Sequence, residues 1–254
     1  SPSISGVSSE TVKVTTIPYV KPPVKKILIG IPTARYIEVE TFKAIYDLEV
    51  PEGYETDFQY FYGYNVDQVR NLIASWVVNQ YDYLFAVDHD ITFPPDTLKK
   101  LLSHDKSVVS GIYRQRKEEQ ILEIYDKINL RNVPYEQLHD KGLVEIGACG
   151  FGCVLVKKAA FVDVGYPQFV YHDALEHHNT FSEDLDFLVK ARQKGHSVWV
   201  DTSIVCGHIG SRTFNVELKA PTPPIVIEEK AADTGFFPLT PAEQALEEIS
   251  NQVH

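Results

Sequence analysis

Two carboxylates and an imidazole end a short apolar segment in the first half of the chain. The stretch Tyr83–Asp90 is rich in aromatic and β-branched residues, is too short for a helix, and ends in Asp88, His89 and Asp90. It predicts a buried strand that ends at Asp90, with the polar triplet where open α/β sheets bind ligands. Side chains alternate along a strand, so we expect Asp88 and Asp90 to face one side and His89 the other.

Two carboxylates on one side of a strand repel each other unless a cation or a proton lies between them. A divalent metal between Asp88 and Asp90 is one interpretation of the triplet. A solvated strand end before the turn at Pro94 and Pro95 is the other. The Asp-x-Asp pattern alone does not decide between them.

Three further features are expected at the same sheet edge. They are the turn Pro32–Arg35, the acidic pair Glu183 and Asp184 at a helix start, and His208 after the last strand. Each has an ordinary alternative: a simple turn, acids that complement a helix dipole, or a surface histidine. Together, two carboxylates and a distant histidine form a mixed oxygen and nitrogen site suited to Mn²⁺ or Mg²⁺, with positions left for phosphate oxygens.

The elements that must hold these residues alternate between strand and helix. Short apolar segments and helix-periodic segments succeed one another through residues 26–33 (strand), 38–48 (helix), 56–62 (strand), 66–80 (helix), 83–90 (strand), 94–102 (helix) and 107–113 (strand). This alternation predicts an α/β fold with a mostly parallel sheet covered by helices on both faces. Later segments predict strands at 143–146, 153–156, 197–200 and 203–206, and helices at 157–164 and 185–194.

The chain divides into three parts by composition. Residues 1–24 are Ser-, Thr- and Pro-rich and predict an irregular N-terminal arm, residues 25–212 form the domain, and residues 213–254 form a Pro-containing linker and a C-terminal helix. That helix has few large apolar residues, so we expect it to dock on the domain or on a second copy of the chain, which would make a homo-oligomer.

Composition narrows the class of protein. The 254 residues are 44% hydrophobic and 23% charged, as in a globular domain, and the formal net charge is -11. This charge disfavours a nucleic acid partner without excluding a local basic groove. No apolar stretch is long enough for a transmembrane segment. Cys149, Cys153 and Cys206 cannot all pair and lack zinc-site spacing, which favours buried thiols and a cytoplasmic location.

A series of motifs resembles the glycosyltransferases of the GT-A fold, nearest in pattern to the inverting family 2. The motifs occur in the order of that family over about residues 25–212. They are Ile27–Thr33, Val69–Asn71, Asp88–Asp90, Val109–Tyr113, Gly147–Leu155, Ser182–Phe187 and Gly207–His208. The resemblance implies a metal-dependent transfer of a sugar from a nucleotide-sugar donor to an acceptor hydroxyl.

The resemblance also implies roles for the donor-binding residues. Asp90 would bind the divalent metal directly, Asp88 would reach the ribose or the metal through water, and His208 would supply a third ligand. Pro32, Thr33 and Arg35 would hold the base and ribose. Arg70 would approach the diphosphate, and Asp67 is a further candidate for the base.

The acidic pair matches the catalytic base of the family. Asp184 would take the proton from the acceptor hydroxyl as that hydroxyl attacks the anomeric carbon, with Glu183 as the alternative base. Gly147–Gly152 would let the backbone approach the donor sugar, although a turn or bulge explains these glycines equally well. His172, His177 and His178 suit a flexible acceptor lid better than a zinc site.

Two other functions compete with the transferase. A sugar nucleotidyltransferase would need a Gly-rich, basic phosphate loop after the first strand, which residues 30–34 do not supply. A non-catalytic nucleotide- or carbohydrate-binding module would not need the acidic set. Retention at the anomeric carbon stays open, because retaining and inverting enzymes share the fold and the metal motif. The acceptor (a glycan, lipid, protein or small molecule) stays open because residues 114–144 match no motif.

Overall fold

The computed structural model describes residues 23–62, 65–172, 182–210 and 213–217. Most of the predicted N-terminal arm, most of the linker, the C-terminal helix, His177 and His178 lie outside the described residues. The first compact unit ends at Glu217.

The described elements alternate largely as the sequence predicts. The helices are α1 (Val39–Tyr46), α2 (Val66–Gln80), α3 (Thr97–Ser103), α4 (Tyr135–Leu138), α5 (Lys158–Val164) and α6 (Glu183–Gln193). The strands are β1 (Lys25–Pro32), β2 (Tyr54–Phe61), β3 (Tyr83–Val87), β4 (Ile91–Thr92), β5 (Val108–Ile112), β6 (Ile124–Tyr125), β7 (Leu143–Ile146), β8 (Ala148–Cys149), β9 (Cys153–Lys157), β10 (Val198–Val205), β11 (Gly207–Ile209) and β12 (Thr213–Asn215).

Within the described residues, the central sheet has seven strands in the order β2-β1-β3-β9-β5-β10-β7. β1 pairs in parallel with β2 and with β3, and β5 pairs in parallel with β10. β9 runs antiparallel to β3 and β5, and β7 runs antiparallel to β10. The predicted α/β fold with a mostly parallel sheet is therefore confirmed.

Alternation along the strands divides the core between the two faces of the sheet. In β1, Leu28 packs on the face covered by α2, α5 and α6, whereas Ile27 and Ile29 pack on the face covered by α1 and α3. These side chains are at most 3% exposed. Both faces are apolar, which explains why β1 and β3 are nearly continuous hydrophobic runs.

A small second sheet, in the order β12-β11-β4, was not predicted. Its strands have two or three residues each, too few to show a period of two in the sequence. Antiparallel pairing places His208 opposite Ile91, and the Ile209 N–H donates to the Asp90 carbonyl at 2.8 Å. This sheet therefore brings the end of the long strand β10 back to the residues that follow β3.

Two predicted strands in the C-terminal part are one element. The sequence predicted separate strands at 197–200 and 203–206, whereas β10 continues from Val198 to Val205 with a register shift between Val200 and Val205 against β5. Among the described residues, no helix has the length and apolar character needed to cross a membrane.

Candidate functional site

A cleft of about 410 Å³ opens where β1 and β3 end, side by side at the same sheet edge. It is lined by Pro32, Thr33, Ala34, Val66, Val69, Arg70, Asp88, His89, Asp90, Arg116 and His208. Parallel strands place their carboxyl ends together, so residues about 55 and 120 positions apart in sequence converge here. Most of the predicted donor and metal residues lie in this one cleft.

The Asp88–Asp90 triplet is a turn and not the end of a strand. β3 ends at Val87, and the Ile91 N–H donates to the Asp88 carbonyl at 3.3 Å. The period of two therefore does not apply, and the prediction that His89 faces away is wrong. His89 lines the cleft, and its Nε2 lies 3.9 Å from Asp90 Oδ2.

Asp90 is the buried carboxylate of the cleft, with a relative exposure of 4%. Arg116 Nη1 lies 3.0 Å from its Oδ2, and His208 Nε2 lies 3.5 Å from the same oxygen. Burial by itself raises the pKa of Asp90. The hydrogen bond and charge of His208, together with the charges of His89 and Arg116, outweigh burial and lower that pKa below its ordinary value.

His208 presents one defined ring nitrogen to Asp90. Its Nδ1 lies 2.9 Å from the Arg114 carbonyl, which only accepts hydrogen bonds, so Nδ1 carries a proton. Burial lowers the pKa of His208, but the bonds to Asp90 and to the Arg114 carbonyl raise it overall. In the neutral ring, the lone pair is on Nε2, the usual arrangement of a metal-binding histidine.

Arg70 joins the Asp-x-Asp turn to the acidic pair on α6. This buried side chain donates from Nη2 to Asp88 Oδ1 at 3.1 Å and from Nε to Glu183 Oε1 at 2.9 Å. Its guanidinium lies over the Phe151 ring, 5.1 Å from the centroid. Burial lowers the pKa of Arg70, but the charges of Asp88, Glu183 and Asp184 raise it overall, so Arg70 stays cationic.

The two acids at the start of α6 have different environments. Glu183 is buried against Arg70, whereas Asp184 is half-buried and accepts hydrogen bonds from the Ser182 hydroxyl and the Leu185 N–H. Burial, followed by the Glu183 charge, raises the pKa of Asp184 to about 6, although Arg70 and the two hydrogen bonds act in the opposite direction. Asp184 therefore holds its proton to a higher pH than an exposed aspartate does.

A second cavity, of about 350 Å³, adjoins the cleft and shares Thr33 with it. It is lined by Thr33, Arg35, Tyr36, Ile37, Tyr60 and Tyr62. The exposed fractions of Tyr36, Tyr60 and Tyr62 are 57%, 55% and 63%, so three phenol rings are open to solvent. Arg35 lies here as the predicted turn requires, whereas Asp67 lines neither cavity.

Two residues of the site were not identified from the sequence. Arg116 lies in the charged segment after β5, which carries no periodic pattern. The buried Tyr113 hydroxyl accepts the Gly152 N–H at 3.0 Å, and its ring meets His208 edge-on with 5.6 Å between centroids. The Gly152 carbonyl accepts the Asp88 N–H at 3.2 Å, so Tyr113 supports both Asp88 and His208.

The donor atoms suit a cation held by few protein ligands. The part of the chain that the structure describes holds no group of three or more His, Cys, Asp or Glu residues arranged to bind a metal. Asp90 Oδ2 and His208 Nε2 nevertheless converge, and Arg116 already places a positive charge beside them. Asp88 bonds to Arg70 instead. These residues fit a metal with two protein ligands and open positions for phosphate oxygens.

The architecture is that of the GT-A fold, as the motif order predicted. The crystal structure of A197 from STIV matches with a TM-score of 0.53 and 15% identity, over 78% of this chain and 100% of that one. GalNAc-T7, crystallised with UDP, GalNAc and Mn²⁺, matches with a TM-score of 0.50 and 13% identity, over 76% of this chain and 45% of that one. This chain thus spans less than half of the GalNAc-T7 chain. No protein-family model and no curated protein matches the sequence.

Proposed function

We propose that the protein is a metal-dependent glycosyltransferase that moves a sugar from a nucleotide-sugar donor to an acceptor hydroxyl, with inversion. The observation that carries this proposal is the single cleft that joins Thr33, the pair Asp90 and His208, and Arg70, which links the cleft to the acids of α6. The neighbour GalNAc-T7, whose structure holds UDP and Mn²⁺, supports a nucleotide and a metal on this fold.

The two adjoining cavities suit the two halves of a nucleoside diphosphate. The base would stack on the exposed rings of Tyr36, Tyr60 and Tyr62, because every nucleobase offers an aromatic face. Thr33 belongs to both cavities and would lie beside the ribose. The diphosphate would then enter the cleft, where Asp90 and His208 would hold Mn²⁺ or Mg²⁺. A metal bound there would act as a Lewis acid and neutralise charge on the departing diphosphate.

Asp184 is the best candidate for the base that activates the acceptor. A general base works best when its pKa lies near the working pH, and the pKa of Asp184 is about 6. Glu183 is committed to the ion pair with Arg70, so it serves to position the site. In a single displacement, the acceptor oxygen would lose its proton to Asp184, bond to the anomeric carbon and release the nucleoside diphosphate.

The alternatives find less support in these contacts. A nucleotidyltransferase would need a glycine-rich basic loop after β1, but the turn Pro32–Arg35 contains no glycine, and its single basic residue, Arg35, lines the second cavity and not the cleft. A binding module gains nothing from a carboxylate whose pKa is raised to about 6, because burial of that charge costs stability.

Nucleotide binding with and without metal tests the proposal. We expect UDP, GDP, CDP or ADP with Mn²⁺ to raise the melting temperature, since a ligand of the native state stabilises it. Replacement of Asp90 by Ala should abolish the metal-dependent part, whereas replacement of the exposed Asp140 by Asn should leave it intact. If no nucleotide changes the melting temperature in the presence of Mn²⁺ or of Mg²⁺, the proposal fails. If a nucleotide does bind, a screen of nucleotide-sugar donors by mass spectrometry would identify the sugar.

A further inference from the structure

Arg116 holds a positive charge where the proposed metal would lie. Its Nη1 is 3.0 Å from Asp90 Oδ2, the same oxygen that lies 3.5 Å from His208 Nε2. A buried carboxylate at 4% exposure is costly without a counter-charge, and Arg116 supplies one in this structure. A divalent cation held by Asp90 and His208 would compete with the guanidinium for that oxygen.

A hairpin presents Arg116 to the cleft. The neighbouring Arg114 donates from Nη2 to the carbonyls of Lys117 and Glu118, both at 2.7 Å, and the Gln115 N–H donates to the Ile121 carbonyl at 2.8 Å. These bonds fix the backbone on both sides of Arg116. The Arg116 side chain is itself 50% exposed and borders the 410 Å³ cleft, so it has space to take another position.

We propose that Arg116 is a displaceable counter-ion of Asp90 that leaves this carboxylate when metal binds and then binds the donor diphosphate. The inference rests on the proposed function. It adds that Arg116 pairs with Asp90 before the metal and donor bind and with the donor diphosphate afterwards. A guanidinium pairs with phosphate oxygens through two parallel hydrogen bonds, which suits the second position. The metal replaces the lost counter-charge at Asp90, so the exchange leaves no buried charge unpaired.

Mn²⁺ alone tests the first position. In the full chain without nucleotide, we expect Arg116→Ala to bind Mn²⁺ about fivefold more tightly than the wild type, because a competing cation is removed. Binding is measured by the loss of the free-Mn²⁺ signal in electron paramagnetic resonance. Arg131→Ala removes an equal charge from an exposed residue and should leave the affinity unchanged.

Inorganic pyrophosphate with saturating Mn²⁺ tests the second position. Here we expect the opposite sign: Arg116→Ala should bind pyrophosphate about tenfold more weakly, because a charge-assisted contact is lost. Arg116→Lys keeps the charge without the paired donors, so its affinity should lie between the two. Isothermal titration calorimetry measures all three variants.

The opposite signs separate this inference from the proposed function. Mn²⁺ affinity that does not rise in Arg116→Ala, or pyrophosphate affinity that does not fall, overturns the role of Arg116 while the wild type still binds both. If neither the wild type nor Arg116→Ala binds Mn²⁺, with or without pyrophosphate, the proposed function fails as well. A circular dichroism melt of each variant confirms that it is folded.

Discussion

Asp184 and Glu183 are adjacent in sequence but have different partners, since only Glu183 forms an ion pair with Arg70. Glu183 forms an ion pair with the buried Arg70 guanidinium, with 2.9 Å between Oε1 and Nε. Asp184 accepts bonds from a hydroxyl and a backbone N–H, and its pKa is raised to about 6. Such a division between two carboxylates is a common way to assign acid and base roles in one site.

The first prediction concerns the activity of Asp184. A base must be deprotonated to act, so the transfer rate of the wild type should fall about tenfold per pH unit below about pH 6. Asp184→Asn should lower kcat by about 10²–10⁴-fold and remove that pH dependence. Steady-state rates from pH 5 to 8 measure both effects. Asp140→Asn changes an exposed carboxylate in the same way, and a similar loss there would contradict the assignment.

The ionised Asp184 carboxylate should also lower the free energy of unfolding. The folded-state pKa of Asp184, about 6, lies above the unfolded value of 3.8, so the folded chain holds this proton more tightly and loses stability as pH rises through 6. We expect Asp184→Asn to raise the free energy of unfolding by about 1–2 kcal/mol at pH 8, with a smaller gain at pH 5. Urea unfolding at both pH values checks this. A variant less stable than the wild type at pH 8 would show that the carboxylate is favourably held.

Sequence reasoning found the residues that follow strands and missed those in the irregular segment. Asp90 and His208 were identified because a polar residue after a buried strand is expected at the ligand-binding edge. Arg116 has no such local signal, since its contact with Asp90 depends on how a hairpin folds over the edge. The turn at Asp88–Asp90 was also missed, because the apolar residues before it predict a strand whether that strand ends at Val87 or continues to Asp90.

At the scale of the element, α6 carries the acidic pair and is held by aromatic packing. Phe187, fully buried, stacks on Phe169 and Phe161 with centroid distances of 4.7 and 5.0 Å and meets Phe151 edge-on at 5.7 Å. Phe187 lies one helical turn after Glu183, so this cluster sets the position of both acids. The sequence placed Phe187 in a motif and in a predicted helix, but gave no sign of its three ring partners.

Removal of the Phe187 ring should destabilise the whole domain. We expect Phe187→Ala to lower the free energy of unfolding by about 3–5 kcal/mol, since truncation of a buried aromatic leaves a cavity. Phe42→Ala, on the exposed face of α1 with a relative exposure of 53%, should cost less than about 1 kcal/mol. Chemical denaturation of both variants measures the contrast. Equal losses would mean that the ring cluster does not anchor α6.

At the scale of the molecule, the strand-helix alternation made the sheet predictable. A βαβ unit returns the chain in the same direction, so the helical segments predicted after β1, β2 and β3 indicated strands that run parallel. The antiparallel directions of β9 and β7 were not predicted. A connection that crosses back to the opposite edge of the sheet makes the next strand parallel, whereas one that stays at the same edge makes it antiparallel. The segment before β7 shows no helical pattern long enough to indicate which connection occurs.

The overall charge also has a measurable consequence. With a formal net charge of -11, the protein should not bind random duplex DNA at 150 mM salt below about 10 µM, because phosphate binding requires clustered cations. Fluorescence anisotropy of a labelled duplex tests this. Binding that weakens steeply with salt would reveal a local basic surface instead.

The contact between Tyr113 and the glycine turn predicts a genetic suppressor. A Cβ added at Gly150 would lie 2.1 Å from the Tyr113 hydroxyl oxygen, whereas one at Gly147 would lie 1.9 Å from the backbone oxygen of Asp126. Gly150→Ala should therefore impair folding alone and recover in part when combined with Tyr113→Phe, a rescue that Gly147→Ala should not show. Soluble yield and melting temperature of the two double variants measure it. A substitution that enlarges Gly150 is then tolerated only together with one that removes the Tyr113 hydroxyl.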